Sequence, residues 1–186
     1  MADEIRLTEQ EGERLLAVAR ETVRHKLLGG RATSFATDNE HLKCRRGAFV
    51  TITSHGDLRG CIGYIEGIKS LIEMIQDCAI QAGFHDSRFG PLSPDEYPNI
   101  AFEISVLTPL VQVEELSEVI AGKHGLLISS HGRSGLLLPQ VATEQGWDRD
   151  TFLAHTCLKA GLPWDEWKNP RAEVYRFEAQ IFSEEK

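Results

Sequence analysis

The sequence predicts an α+β fold in which a hairpin, a helix and a strand occur twice around a largely antiparallel sheet. Three observations carry this. Gly47 to Ser54 is rich in β-branched and aromatic residues and leads through Ser54-His55-Gly56 into a second extended segment. An apolar stripe at helical spacing follows, ending at Ala82-Gly83. The same order returns from Gly125 onward. Ser130-His131-Gly132 stands for the first tip, Ile128 falls in the frame of Ile52, and Ala160-Gly161 echoes Ala82-Gly83. The period is longer than solenoids use, and no Gly/Ser/Pro-rich linker divides the halves. The expectation is therefore an ancestral duplication within one domain, residues 1–186.

Each element has its own signal. Thr8 with Glu11 three residues on is a capping box, and Leu15, Leu16, Ala19, Val23 and Leu27 continue as a helix until Gly29-Gly30. Residues 31–46 are poorly periodic and predict a loop-rich connection. For the first hairpin, a three-residue loop pairs Ile52 with Leu58 and Val50 with Gly60, whereas a two-residue loop puts Ile52 beside Arg59. Apolar pattern sets register, so the odd loop is preferred, with Arg59 and Cys61 on one face. A second helix is expected over Ile68 to Ala82, ended by Gly83. Ser93-Pro94-Asp95-Glu96 reads as a capped turn, Asn99 to Thr108 as a strand, and Glu115 to Ala121 as a short helix. In the second half, Gly125 to Leu138 reads as strand, tip and strand, a helix starts at Asp148, and a final strand runs from Ala172 to Phe182.

Bulk composition narrows the function classes. A chain of 186 residues buries roughly 70% of its unfolded surface, enough for a self-sufficient core. Twenty-eight acidic residues against 20 basic give a net charge of −8, which argues against nucleic-acid binding while leaving room for a local basic pocket. Cys44, Cys61, Cys78 and Cys157 form no Cys-x-x-Cys pair. They predict reduced thiols in a cytoplasmic protein with no metal and no cofactor. Met1 to Gln10 is polar and acidic, so no signal peptide is expected there. No run approaches ~18 apolar residues, so no membrane span is expected.

The chemistry-bearing stretch is Leu58-Arg59-Gly60-Cys61-Ile62-Gly63. Downstream stand Asp86-Ser87-Arg88-Phe89, Arg133-Ser134-Gly135-Leu136-Leu137-Leu138-Pro139-Gln140, Gly146-Trp147 and Cys157-Leu158-Lys159-Ala160-Gly161-Leu162. Together these segments resemble the AMMECR domain family, whose prokaryotic members are labelled AmmeMemoRadiSam system protein A. The resemblance runs from Gly47 almost to the C-terminus. It implies an α+β fold of two unequal lobes with a cleft, and the company of a Memo-like protein and a radical-SAM enzyme. It supplies no reaction.

Two readings of the residues stand side by side. As a site, Cys61 is a nucleophile or close contact whose thiol is acidified by Arg59, and Gly60 and Gly63 admit a ligand or another backbone. Asp86 and Arg88 recognise an anionic or carbonyl-bearing small molecule, and Gln140 faces the cleft. As structure, Cys61 is a small buried strand residue, Asp86 and Arg88 pair to hold their loop, and Gly135 to Gln140 is a buried strand. No histidine is placed beside Cys61 as a base. His55 and His131 read as turn residues, because histidine tolerates the left-handed region. Trp147, Trp164 and Trp167 read as packing anchors. Two functions follow: a small enzyme or enzyme component, or a non-catalytic adaptor docking onto a Memo-like or radical-SAM partner.

Overall fold

The computed structural model describes residues 6–30 and 35–184. The expectation for the start of the chain, as far as it concerns residues 1–5, lies outside the described residues, as do residues 31–34 of the loop-rich stretch. The elements are α1 (Glu9–Leu27), α2 (Glu40–Lys43), β1 (Ala48–Ser54), β2 (Asp57–Tyr64), α3 (Leu71–Phe84) and β3 (Ile100–Leu107). There follow β4 (Val111–Gln112), β5 (Gly125–Ser130), β6 (Arg133–Leu137), α4 (Pro139–Gln145), α5 (Arg149–Lys159), β7 (Glu173–Phe177) and β8 (Ala179–Ser183). Three short 3-10 turns complete the set: Tyr97–Asn99, Leu116–Glu118 and Glu166–Lys168. Among the described residues, no helix is long and apolar enough to cross a membrane.

The fold is α+β, as the sequence predicts, and its strands form two four-stranded sheets. The chain forms two compact units: residues 1–107 with 180–186, and residues 108–179. In the first, the strand order is β2-β1-β3-β8; in the second, read from the matching edge, it is β6-β5-β7-β4. β1 is antiparallel to both β2 and β3, and β5 to both β6 and β7. The two hairpins thus hold equivalent places in their sheets, and the duplication is visible in the topology.

Local chemistry explains most elements. Glu11 N–H donates to Thr8 Oγ1 at 3.3 Å and Thr8 N–H to Glu11 Oε2 at 2.7 Å, so the capping box opens α1. Leu15, Ala19 and Val23 are fully buried on its inner stripe. Asp148 caps α5 through the Thr151 N–H, and Gly161 follows that helix at φ 69. The first unit's core joins α1, α3 and sheet residues such as Val50, Ile52, Phe102 and Ile104; the second joins Leu126, Ile128, Phe152, Leu153 and Cys157. The first sheet is closed by residues from both ends of the sequence. Leu7 N–H donates to Gln180 Oε1 at 2.8 Å, Gln180 Nε2 donates to Leu7 O at 2.9 Å, and Phe182 packs its ring where Gly12 carries no side chain.

Several boundaries differ from the sequence expectation, each for a local reason. Helix α3 starts at Leu71 rather than Ile68, because the Ser70 N–H and hydroxyl both donate to Glu73 and fix the cap there. It runs through Gly83, which lies buried against Leu92, and ends at Phe84. The Gly135–Gln140 segment is not one strand. Pro139 occupies the first turn of α4, which closes at Gly146 with φ 65, so Gln140 sits on a helix. The expected final strand is two strands in different sheets. Glu178 leaves the ladder to bond Thr108 through both its backbone groups, its N–H donating to Oγ1 and its carbonyl accepting from the Thr108 N–H.

The first hairpin also departs from both registers considered. Its turn has two residues, His55 at φ 52 and Gly56 at φ 90, as the twist of a two-residue hairpin turn requires. Ser54 pairs with Asp57 and Thr53 with Leu58; then the register shifts, so that Ile52 pairs with Gly60 and Thr51 with Cys61. Arg59 is the extra, bulged residue. The second hairpin has the same turn, His131 at φ 51 and Gly132 at φ 70, but no bulge, and Ile128 pairs with Gly135. The two glycines opposite these isoleucines do the same work. A Cβ on Gly60 would lie 2.1 Å from Ala82 O, and one on Gly135 would lie 2.3 Å from Ala160 N. Each hairpin accepts the end of its helix at a point where no side chain fits. Gly60→Val and Gly135→Val should each lower stability by roughly 1–3 kcal/mol through forced overpacking. Chemical unfolding measures this, and unchanged midpoints would show that the helix ends yield freely.

Candidate functional site

Strand β2 is the outer strand of the first sheet, so one row of its backbone groups has no strand partner. At Cys61 that row is occupied by a side-chain pair. Asp86 Oδ2 accepts the Cys61 N–H at 3.0 Å, and Arg88 Nη2 donates to the Cys61 carbonyl at 3.2 Å. The two are locked to each other: Arg88 Nε reaches Asp86 Oδ1 at 2.9 Å, Nη2 reaches Oδ2 at 2.6 Å, and the Arg88 N–H donates to Oδ1 at 3.1 Å. Asp86 keeps only 5% of its surface exposed. Its carboxyl lies far below the ordinary carboxylate range, chiefly because the Arg88 guanidinium bonds it, and the two backbone N–H groups add to this. The Asp-x-Arg element therefore supplies both the acceptor and the donor that a neighbouring strand would have offered.

Arg59, lifted out by the bulge, is engaged elsewhere. Its Nε donates to Glu96 Oε1 at 2.6 Å, and its Nη2 to Glu96 Oε2 at 3.3 Å and to Gly90 O at 2.9 Å. Glu96 Oε2 also accepts from the Ser93 N–H and hydroxyl, which is the capped turn the sequence predicts. The Arg59 guanidinium, followed by the Ser93 N–H, holds the Glu96 carboxyl down at about 2. The Phe89 ring lies within cation–π reach of both guanidinium carbons, 5.8 Å from Arg59 and 5.5 Å from Arg88.

The Cys61 thiol itself is half-buried and free. Thr51 Oγ1 donates to Sγ at 3.2 Å from the facing strand position. Burial pushes the thiol above its ordinary pKa, outweighing the Thr51 hydrogen bond and the nearby Arg88 charge. The expectation that Arg59 acidifies Cys61 is thereby corrected: Arg59 is spent on Glu96, and the nearer cation is Arg88, itself neutralised by Asp86. The two glycines do not open a groove. Ala82 fills the space over Gly60, and the Phe49 ring lies across Gly63, 2.3 Å from where a Cβ would sit. Gln140 belongs to the second unit, on α4, whereas Cys61 belongs to the first.

The structure thus brings Cys61, Asp86 and Arg88 together, with Arg59 linked through Phe89. Sequence reasoning missed Glu96 as the partner of Arg59, Thr51 as the donor to sulfur, and Phe89 as the plate between two cations. The ladder pairing of Thr51 was within reach of a correct register. The Arg59–Glu96 pair spans 37 residues and has no local signal. Among the described residues, no group of three or more His, Cys, Asp or Glu side chains is arranged to hold a metal ion.

A family model described as AMMECR1 matches residues 16–182. A protein of Methanopyrus kandleri is 44% identical over 189 residues, covering 97% of this chain and 91% of the relative. A protein of Methanothermobacter thermautotrophicus is 44% identical over 186 residues, covering 96% and 97%. A crystal structure described as that of the uncharacterized protein PH0010 from Pyrococcus horikoshii is 38% identical, with a TM-score of 0.92 over 96% of this chain and 94% of that one.

The two depressed carboxyls give the first unit an acid-sensitive edge. A group whose pKa is lowered on folding stabilises above its unfolded pKa and loses that contribution as pH falls through the folded value. For Glu96 the window runs from its ordinary 4.5 down to about 2; for Asp86 it starts below 3.8 and extends lower. Stability measured by urea unfolding should fall with pH through this window. Glu96→Gln and Asp86→Asn should each flatten that dependence, and parallel curves for wild type and variants would contradict the pairing.

Proposed function

From the premise that this chain belongs to the AMMECR1 family, we propose that it is a non-catalytic docking module rather than a thiol enzyme. The observation carrying this reading is that every charge of the Arg-Gly-Cys and Asp-x-Arg elements is consumed within the fold. Arg59 closes on Glu96, Arg88 on Asp86, and both members of the latter pair hold the Cys61 backbone. A nucleophilic thiol needs a lowered pKa or an adjacent base, whereas burial raises that of Cys61. Exposed large apolar side chains in the second unit support docking: Trp164 is 58% exposed, Leu158 53% and Ile120 52%. The partners proposed are the Memo-like protein and the radical-SAM enzyme that the family resemblance implies, in the reducing cytoplasm that free cysteines suit.

Two measurements test the proposal together. In a brief alkylation of native protein read by mass spectrometry, Cys61 should react more slowly than a model thiol, and Arg59→Leu should leave the rate unchanged. Analytical ultracentrifugation with each purified partner should show a complex that Trp164→Asp weakens. Rapid, selective labelling of Cys61 with no complex formed would instead support an enzyme taking an anionic or carbonyl-bearing small molecule near that thiol.

A further inference from the structure

Besides the bulge at Arg59, the two units differ beside their hairpin tips, and there the first unit has an open cavity. In the second unit, the gap between the hairpin tip and the 3-10 turn before β7 is closed by Glu166. Its Oε1 accepts from Ser130 Oγ at 2.8 Å and from Asn169 Nδ2 at 2.8 Å, and lies 3.3 Å from His131 Nε2. His131 is the first tip residue, held at φ 51.

In the first unit the same framework surrounds empty space. His55, the equivalent tip residue at φ 52, lines a cavity of about 460 Å³ together with Thr53, Asn99 of the 3-10 turn before β3, Arg20 and Glu184. That volume falls within the roughly 300–1,000 Å³ range of small-molecule pockets. The side chains of His55, Thr53 and Asn99 make no hydrogen bond to any described residue. Arg20 is fixed in place, donating from Nε to Glu184 Oε1 at 2.6 Å and from Nη2 to Glu184 Oε2 at 2.5 Å and to Ile100 O at 2.8 Å, with its guanidinium against the Tyr97 and Phe102 rings. Both tip histidines hold the left-handed conformation that a two-residue hairpin turn requires. One of the two tip histidines has a carboxylate beside it; the other lines an open cavity.

We propose that this cavity binds a small-molecule carboxylate, held by His55 and Asn99 in the place that Glu166 fills in the second unit. The ligand supplies from outside the group that the duplicate supplies from its own chain. Glu184 on the same wall, and a chain carrying −8 overall, restrict the anion to a singly charged monocarboxylate and weigh against phosphate and dicarboxylates. The proposal stands apart from the docking reading, because it involves neither Cys61 nor the exposed apolar residues of the second unit.

The test is a titration of ¹⁵N-labelled protein with acetate and with lactate at constant ionic strength, followed by amide shifts. The expected result is saturable movement of Gly56, Asn99 and Ala101 with a dissociation constant of about 1 mM or tighter for at least one of the two. His55→Gly keeps the left-handed turn and removes the imidazole, and should weaken binding at least about tenfold, while His131→Gly should not. Three results would overturn the proposal: no saturable shift with either probe, equal affinity in His55→Gly, or inorganic phosphate binding as tightly as the carboxylates.

Discussion

The constraint on which this architecture depends is the absence of a side chain at Gly60 and at Gly135. In each unit the end of a helix comes so close to the hairpin's second strand that a single carbon atom would collide with helix backbone. That contact fixes α3 on β1 and β2, and α5 on β5 and β6. It also places the loop leaving α3 where Asp86 and Arg88 meet the edge of β2. The contact is between backbones and forgives little, since neither party has a rotamer to change.

Seen from that contact, the Leu58–Gly63 and Asp86–Phe89 segments are two halves of one device. The first presents an outer strand with a bulge; the second covers its open backbone at Cys61 and holds the bulged arginine through Phe89 and Gly90. Uncovered strand edges invite pairing with other chains, and folded proteins blunt them with charges, bulges or loops. Here all three are used within a few residues. Most of a motif that reads as reactive because it joins a thiol, two arginines and two glycines goes into packing and closing a sheet edge; Arg59 Nη1, buried with no partner among the described residues, is the exception.

Sequence reasoning reached the His-Gly tips, the cap at Thr8 and a helix start at Asp148, because each depends on residues close in sequence, and from their recurrence it reached the repeated unit and the α+β class. It failed where a long-range contact decided. The bulge at Arg59 is stabilised by Glu96, 37 residues away, so pattern alone placed Ile52 opposite Leu58. The division of the last strand at Glu178 depends on Thr108, 70 residues back. Two misses were local and avoidable: Ser70 with Glu73 marks the start of α3, and Pro139 with Gly146 brackets α4. For Cys61, the alternation of a regular strand put Arg59 on its face, and one inserted residue undid the inference.

The Leu7–Gln180 pairing, with Phe182 over Gly12, sets an order on the making of this protein. The start of α1 leaves the ribosome long before the strand that bonds to it. The residues of the second unit are contiguous and all synthesised before that strand is finished. During translation the second unit therefore has its full set of internal partners while the first sheet still lacks β8. Hydrogen bonds across 173 residues close late on loop-entropy grounds as well. Until then β3 is an outer strand with an uncovered flank, a position that β8 takes over in the finished sheet.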